Sequence, residues 1–114
     1  IALSHLQILG CELKTPNVLF YRYRHSVGFS TPETTFLICA FWYVEALACV
    51  GRVDEAVVEF EKLLSYTNHL GLLSEDVDAT TGSQWGNFPQ AYSHVGLVNA
   101  AYRIANKLSR PDFL

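Results

Sequence analysis

The sequence predicts an all-α chain whose helices pack in an inner and an outer layer, and three observations support this class. Among the 114 residues, 50% are hydrophobic and only 17% are charged, which is apolar for a domain of this size. One long segment is apolar on nearly every face, so as a helix it must be surrounded by protein. The segment after it has one polar face, as expected for an outer helix. The length allows one domain at most, so residues 1–114 form a single segment.

Leucine spacing and two breaks define the elements of the first third of the chain. The leucines that recur at helical intervals are Leu3, Leu6, Leu9 and Leu13. They predict an amphipathic helix over about residues 2–14, which Pro16 ends. Val18–Tyr23 is typical of a short extended stretch that could add a minor strand. Gly28 and Pro32 then predict a loop.

Two helices of different character are predicted after this loop. The first covers Phe36–Val50, has Glu45 as its single charge, and is followed by Gly51 in the position that commonly ends a helix. Trp42, inside this segment, is expected in the core. The next helix has an apolar stripe made of Val53, Ala56, Val57, Phe60, Leu63 and Leu64. The charged residues largely opposite the stripe are Asp54, Glu55, Glu59, Glu61 and Lys62.

A long loop and a final helix are predicted beyond residue 66. Residues 67–86 are expected to form a loop, and a loop of that length inside a compact domain is usually functional. Asn87 is suited to cap a helix with Pro89 in its first turn, and this helix should run to about Leu108. Its small residues, which would let a neighbouring helix approach closely, are Ala91, Gly96, Ala100, Ala101 and Ala105.

Charge, hydropathy and cysteine positions argue against several classes of function. The net charge of -3, without a run of Lys or Arg, gives no support for nucleic-acid binding. No apolar stretch approaches ~20 residues without a charge, so no membrane-spanning helix is predicted. Cys39 and Cys49 lie ~15 Å apart by helical rise, beyond the ~7 Å that a disulfide spans. With Cys11 they indicate thiols in a reducing compartment, so we expect a cytoplasmic protein without a metal or other cofactor.

The acidic stretch Ser74–Asp78 has two interpretations. Asp76 begins the spacing of a calcium loop, but Thr81 and Asn87 stand where an EF-hand needs Gly and Glu. An EF-hand is therefore excluded. The stretch is either a solvated acidic turn or the site of a catalytic carboxylate at the rim of a pocket.

Aromatic and basic residues offer the other candidate contacts. In the catalytic interpretation, Trp85 and Phe88 would supply a sugar-stacking wall that also excludes water. Arg22, flanked by two tyrosines, would either clamp sugar hydroxyls with its forked donors or lie on the surface over a strand. His94, on the last helix, is expected to be an interior histidine with satisfied nitrogens rather than a catalyst.

A family resemblance rests on five segments that follow one another along the chain. They are Tyr21-Arg22-Tyr23, Phe36–Trp42, Glu45–Leu47 with Gly51–Ala56, Asn68–Glu75, and Gly86–His94. Together they resemble the glucoamylase-like glycoside hydrolases of family 15, which include glucoamylases and bacterial trehalases. The resemblance covers about residues 20–108, and the last segment is its most specific part.

The resemblance implies a fold and a reaction. The fold is an (α/α)6 barrel, six inner helices ringed by six outer ones, of which this chain would form the C-terminal part with about four helices. The reaction is hydrolysis of an α-glucoside with inversion at the anomeric carbon. Glu75 matches the general base of the family, and Arg22 matches the arginine that contacts the glucosyl unit. The other substrate-binding residues implied are Tyr23, Trp85, Phe88 and Gln90.

The resemblance also leaves one catalytic group unassigned. An inverting hydrolase needs a general acid ~6.5–9.5 Å from the base, and no glutamate of this chain matches the family position of that acid. We therefore expect the acid upstream and expect the isolated chain to be inactive on α-glucosides. We also expect the chain to pack against the missing N-terminal part of the barrel or against another copy.

The alternative function is a non-catalytic helical interaction module. Tyr43–Ala56 looks like the helix-turn-helix core of a tetratricopeptide repeat. Such repeats recur about every 34 residues and need about three copies for stability. One period from Ala46–Ala56 lie Glu12–Arg22, which contains Pro16, and Thr80–Gln90, which is predicted as loop. Neither resembles a second copy, so this alternative would be a helical surface without chemistry.

Overall fold

Three helices and three short strands follow one another in the part of the chain that the computed structural model describes. The described residues are Ser4, His5, Gln7, Leu19, Phe20 and 34–109. The elements are β1 (Thr34–Phe36), α1 (Leu37–Cys49), α2 (Val53–Leu64), β2 (Asp76–Asp78), β3 (Gln84–Trp85) and α3 (Ala91–Ser109). The predicted helical character is confirmed, but an all-α class omits the small sheet.

The first of the about four predicted helices lies in a region of which only a few residues are described. Ser4, His5 and Gln7 are helical, as expected for the first predicted helix, and the other residues of that helix lie outside the described set. Phe20 belongs to the predicted minor strand, and its carbonyl accepts a hydrogen bond from the Phe36 N–H over 2.9 Å. The remainder of that strand lies outside the described residues as well.

α1 ends as predicted, at a glycine. Gly51 has a φ of +91°, which glycine adopts without a steric cost. Its N–H donates to the Ala48 carbonyl over 3.2 Å, and the Arg52 N–H donates to the Leu47 carbonyl over 2.9 Å. This pair of bonds satisfies carbonyls at the helix end. Trp42 is 52% exposed, so the prediction that it lies in the core is wrong.

α2 is amphipathic as predicted, with two corrections, the first of which is that Leu64 from the predicted stripe is exposed. Ala56 and Leu63 from the predicted stripe are buried, and acidic residues occupy the first turn, where they favour the positive end of the helix dipole. Glu59, predicted on the wet face, is instead buried at 7% exposure, 3.8 Å from the ammonium group of Lys62. A buried carboxylate requires such compensation, since its desolvation is costly.

α3 crosses α1 at a glycine, which bears out the prediction of a close helix approach. An ideal Cβ at Gly96 would lie 2.6 Å from Ile38 Cδ1 and 3.0 Å from Phe41 Cβ. A side chain does not fit there without movement of α1. Beyond this crossing, the guanidinium of Arg103 lies 3.6 Å from the carboxylate of Glu45, which links the two helices on their half-exposed edge.

Two short strands, β2 and β3, interrupt the long loop predicted over residues 67–86, and the rest of that segment has no helix or strand. β1, β2 and β3 are antiparallel in that order, with Thr35 paired to Val77 and Asp76 paired to Trp85. The hydroxyl of Thr35 also donates to the Val77 carbonyl over 2.7 Å in a buried position. Residues 76–85 therefore form a hairpin held on the start of α1, while residues 67–75 are a loop as predicted.

The core of the described residues lies where α1 contacts both α2 and α3. Its buried members are Leu19, Phe20, Leu37, Ala40, Phe41, Val44, Leu47, Ala48, Ala56, Leu63, Leu73, Val77, Ala100 and Ile104. The core thus draws on all three helices, on β2 and on the segment before it. None of the described helices is long and apolar enough to span a bilayer.

Candidate functional site

The backbone on both sides of Glu75 is hydrogen-bonded to two other segments. The Glu75 N–H donates to the Asn87 carbonyl over 2.9 Å, and the Glu75 carbonyl accepts from the Leu37 N–H at the start of α1 over 3.1 Å. Two residues earlier, the Leu73 carbonyl accepts from the Gln90 N–H over 2.9 Å. The segment that carries Glu75 is therefore held between α1 and the segment that leads into α3.

Two side chains from the first turn of α3 complete these contacts. Ser93 Oγ donates to the Ser74 carbonyl over 2.7 Å, and His94 Nε2 accepts from the Leu73 N–H over 3.2 Å. The other ring nitrogen of His94, Nδ1, lies 2.6 Å from the Gln90 carbonyl. A neutral ring with its proton on Nδ1 satisfies both contacts. The prediction that His94 is a satisfied histidine is thus confirmed.

Together these bonds occupy five of the six backbone polar groups of residues 73–75. The five are the N–H and carbonyl of Leu73, the carbonyl of Ser74, and the N–H and carbonyl of Glu75. Catalytic side chains are held most accurately when their backbone sits on rigid elements with satisfied partners. The fold therefore fixes the point from which the Glu75 side chain starts.

Four of the predicted site residues lie on two segments that run side by side. Glu75 is half-buried and precedes β2, while Trp85 is the last residue of β3. Phe88 and Gln90 follow in the segment that pairs with residues 73–75. The rings of Trp85 and Phe88 are 57% and 49% exposed, so both have an apolar face available to a ligand. Glu75 and the two aromatic residues thus lie on neighbouring segments, and an exposed aromatic ring can stack on the apolar face of a sugar.

Two of the predicted site residues cannot be placed, and the described cavity lies away from Glu75. Arg22 and Tyr23, predicted to contact the sugar, lie outside the described residues. A shallow cavity of about 350 Å³ lies along the outer face of α3, and Glu75 is not among its lining residues. The cavity is lined by His94, Val95, Val98 and Asn99. Among the described residues, no group of three or more His, Cys, Asp or Glu could hold a metal ion.

The acidic stretch divides into two kinds of carboxylate. The Asp78 side chain accepts hydrogen bonds from the backbone N–H groups of Thr81 and Thr80, over 3.0 and 2.7 Å. These bonds, that from Thr81 first, lower the pKa of Asp78 below its ordinary value because they favour the charged form. Asp78 thus fits the interpretation as a solvated turn, while Glu75 lies on the anchored backbone before β2.

Sequence reasoning missed the anchoring role of Ser93 and the start of α3. The helix begins at Ala91 and not at Asn87, because the backbone of Asn87 and Gln90 pairs with residues 73–75. Ser93 comes early in α3, where serine is common, and its bond to Ser74 joins residues 19 positions apart. No local signal in the sequence reports such a contact.

Comparison with known proteins agrees with the resemblance noted in the sequence. The chain matches the sequence profile of Glycosyl hydrolases family 15 over residues 6–102. It is 42% identical over 93 residues to a protein named Trehalase from Thermoplasma acidophilum, and 41% identical over 106 residues to a Trehalase from Thermoplasma volcanium. A Trehalase from Mycobacterium tuberculosis is 42% identical over 101 residues.

The matched regions cover most of this chain and a small part of each relative. They take in 82%, 93% and 86% of this chain in the same order, and 16%, 17% and 15% of the three relatives. The chain thus spans about one sixth of the length of the curated relatives it matches. No solved structure matches the chain.

Proposed function

Because this chain belongs to glycosyl hydrolase family 15, we propose that it carries the general base of an inverting α-glucoside hydrolase that acts on trehalose. Glu75 is the proposed base, and the observation that supports it most is the anchored backbone of residues 73–75. The names of the relatives support trehalose over other α-glucosides, since three of them share 41–42% identity with this chain.

The proposed mechanism requires one proton transfer at each side of the glycosidic bond. The ionised carboxylate of Glu75 takes a proton from a water molecule, and the water oxygen attacks the anomeric carbon from the face opposite the leaving group. A carboxylic acid ~6.5–9.5 Å away protonates the leaving oxygen as its bond to carbon breaks. Trp85 and Phe88 would stack on the sugar, Gln90 and Tyr23 would line its pocket, and Arg22 would hold its hydroxyls.

The acid is proposed to come from another part of a longer protein. The chain spans about one sixth of its curated relatives, so most of their length has no counterpart here. One face of α3 offers a stripe of exposed apolar and aromatic residues: Tyr92, Val95, Val98 and Tyr102. We propose that this stripe packs against the rest of an (α/α)6 barrel, or against another copy, since exposed apolar patches commonly mark contact surfaces.

Glu75→Gln in the full-length protein tests the proposal, with Glu61→Gln as the matched control. Glu61 is exposed on α2, away from the anchored backbone, and undergoes the same chemical change. We expect Glu75→Gln to lower kcat on trehalose by about 10²–10⁴-fold with an unchanged unfolding midpoint, because an amide cannot accept the proton of water. Glu61→Gln should retain the wild-type rate. A near-normal rate for Glu75→Gln would remove Glu75 from this role.

The stereochemistry of the products tests the inverting mechanism separately. Inversion at one anomeric carbon of trehalose releases one β-glucose and one α-glucose, whereas retention releases two α-glucose molecules. Proton NMR of the first products therefore distinguishes the two outcomes before mutarotation mixes them. In the same assay, the isolated 114-residue chain is expected to show no turnover, since the proposed acid is absent from it.

A further inference from the structure

Gly86 lies directly across from Glu75 in the hairpin. Asp76 pairs with Trp85, and this antiparallel register places the preceding and following residues, Glu75 and Gly86, opposite each other. The Glu75 N–H donates to the carbonyl of Asn87 and not to that of Gly86, so the pairing is shifted by one residue here, but the segments stay hydrogen-bonded past the end of β3. The two backbones therefore approach closely at the position that carries the proposed base.

The space beside Gly86 is occupied by the Glu75 side chain. An ideal Cβ at Gly86 would lie 3.2 Å from Glu75 Oε2, 3.2 Å from its Cβ and 3.7 Å from its Cδ. The first two distances are shorter than ordinary van der Waals contact between heavy atoms. The Glu75 side chain thus lies against the glycine, close enough that a Cβ at residue 86 would crowd it.

Other glycines show that this contact is separate from the backbone conformation. Gly86 has a φ of +76°, a region that L residues adopt at a cost. Gly71 and Gly51 have φ values of +76° and +91°, yet a Cβ at either would meet nothing within 4 Å. Gly86 therefore combines a backbone conformation that favours glycine with a side-chain contact, while the other two have the conformation alone.

We propose that Gly86 is a positioning residue for Glu75, whose carboxylate takes its catalytic place because Gly86 has no Cβ. This inference rests on the proposed function of Glu75. The Glu75 backbone is anchored on both sides, so an added methyl group must either rotate the carboxylate or push the two segments apart. Both movements, of a few tenths of an ångström, change the distance from the carboxylate to the attacking water. Since a misplacement of about 1 Å can cost about 10²-fold in rate, a smaller loss of about 4- to 10-fold is expected.

Gly86→Ala and Gly51→Ala in the full-length enzyme form the matched pair. Both variants put alanine at a positive φ, so both should lower the unfolding temperature. We expect Gly86→Ala to lower kcat on trehalose by about 4- to 10-fold with KM changed less than about twofold. Gly51→Ala should keep kcat within about twofold, since its methyl group meets nothing. Equal losses of kcat in the two variants would overturn the inference.

A double-mutant cycle shows whether Gly86 acts through Glu75. In the Glu75→Gln background we expect Gly86→Ala to change the residual rate less than about threefold, because the group it positions no longer accepts a proton. The same factor of loss in both backgrounds would overturn the inference. If Glu75→Gln itself keeps the wild-type rate, the proposed function fails first, and the positioning inference falls with it.

A second variant covers the case in which Gly86→Ala does not fold. Asparagine tolerates a positive φ better than alanine, yet it also brings a Cβ into the space over Gly86. Gly86→Asn should therefore fold and show the same loss of kcat with little change in KM. A Gly86→Asn enzyme with the wild-type kcat would overturn the inference.

Discussion

The hydrogen bond from Ser93 to Ser74 allows a direct test of how strongly α3 holds the backbone before Glu75. Ser93 Oγ donates to the Ser74 carbonyl over 2.7 Å. Ser93 is 1% exposed and Ser74 is 0% exposed, so solvent does not reach the bond readily. Ser93→Ala removes the donor and leaves the buried carbonyl without it, which is the costly way to lose a hydrogen bond.

The expected magnitude follows from two opposing terms. A buried polar group that loses its partner costs about 1–3 kcal/mol. Ser93 lies in the first turn of α3, and alanine favours a helix over serine by roughly 0.5 kcal/mol, which offsets part of this cost. The free energy of unfolding should therefore fall by roughly 0.5–2.5 kcal/mol in Ser93→Ala.

Ser65→Ala is the matched control for this measurement. Ser65 Oγ donates to the Lys62 carbonyl over 2.6 Å, but the bond is exposed, so water can replace the donor. Its free energy of unfolding should change by less than about 0.5 kcal/mol. Urea denaturation followed by circular dichroism compares both variants with the wild type. If Ser93→Ala loses no more stability than Ser65→Ala, the burial argument is refuted.

Two further predictions concern the helix crossing and the turn. Gly96→Ala should lower the free energy of unfolding, measured by urea denaturation, by about 1 kcal/mol. Overpacking against Ile38 costs about 1–3 kcal/mol, whereas alanine in place of glycine stabilises the helix by only about 1 kcal/mol. An increase in stability would contradict the close approach of the two helices. The pKa of Asp78 should lie below its ordinary value in a carboxyl NMR titration. Because this pKa is lowered in the folded state, the stability that wild type gains over Asp78→Asn is present at neutral pH. It should be lost as the pH falls below about 4 towards the folded pKa. A difference in the free energy of unfolding between wild type and Asp78→Asn that does not change with pH would refute this prediction.

The described helices could be predicted because their signals are local. An apolar run that ends at Gly51 and an amphipathic stripe after it each lie within one element, so spacing alone reveals them. β2 and β3 are three and two residues long, shorter than any window in which alternation can be recognised. The pairing of β2 with β1 joins residues 40 or more positions apart, such as Thr35 and Val77, and no local pattern reports it.

The family resemblance predicts which residues form the proposed site, and the structure adds the contacts that hold them. Glu75 was predicted from a family segment, and its role stays a prediction that the kinetic test decides. The anchoring by Ser93 was not predictable, because it requires knowledge of which carbonyl faces the first turn of α3. The contact of Gly86 with Glu75 was hidden for the same reason, since the sequence shows a glycine but not the register that places it.

Ser93 and Gly86 act on different parts of Glu75, the backbone before it and its side chain. Substitutions at the two positions should therefore differ in how much they change stability and how much they change kcat. Ser93 fixes the backbone before Glu75, and its loss weakens a buried bond that stabilises the fold. Gly86 has a positive φ, which Gly51 shares, but it also leaves the space that the Glu75 side chain occupies. If the anchored backbone alone set the geometry of the base, Ser93→Ala would lower kcat more than Gly86→Ala. The 3.2 Å contact with Oε2 favours the opposite order, because a rotated carboxylate leaves the water even when its backbone has not moved.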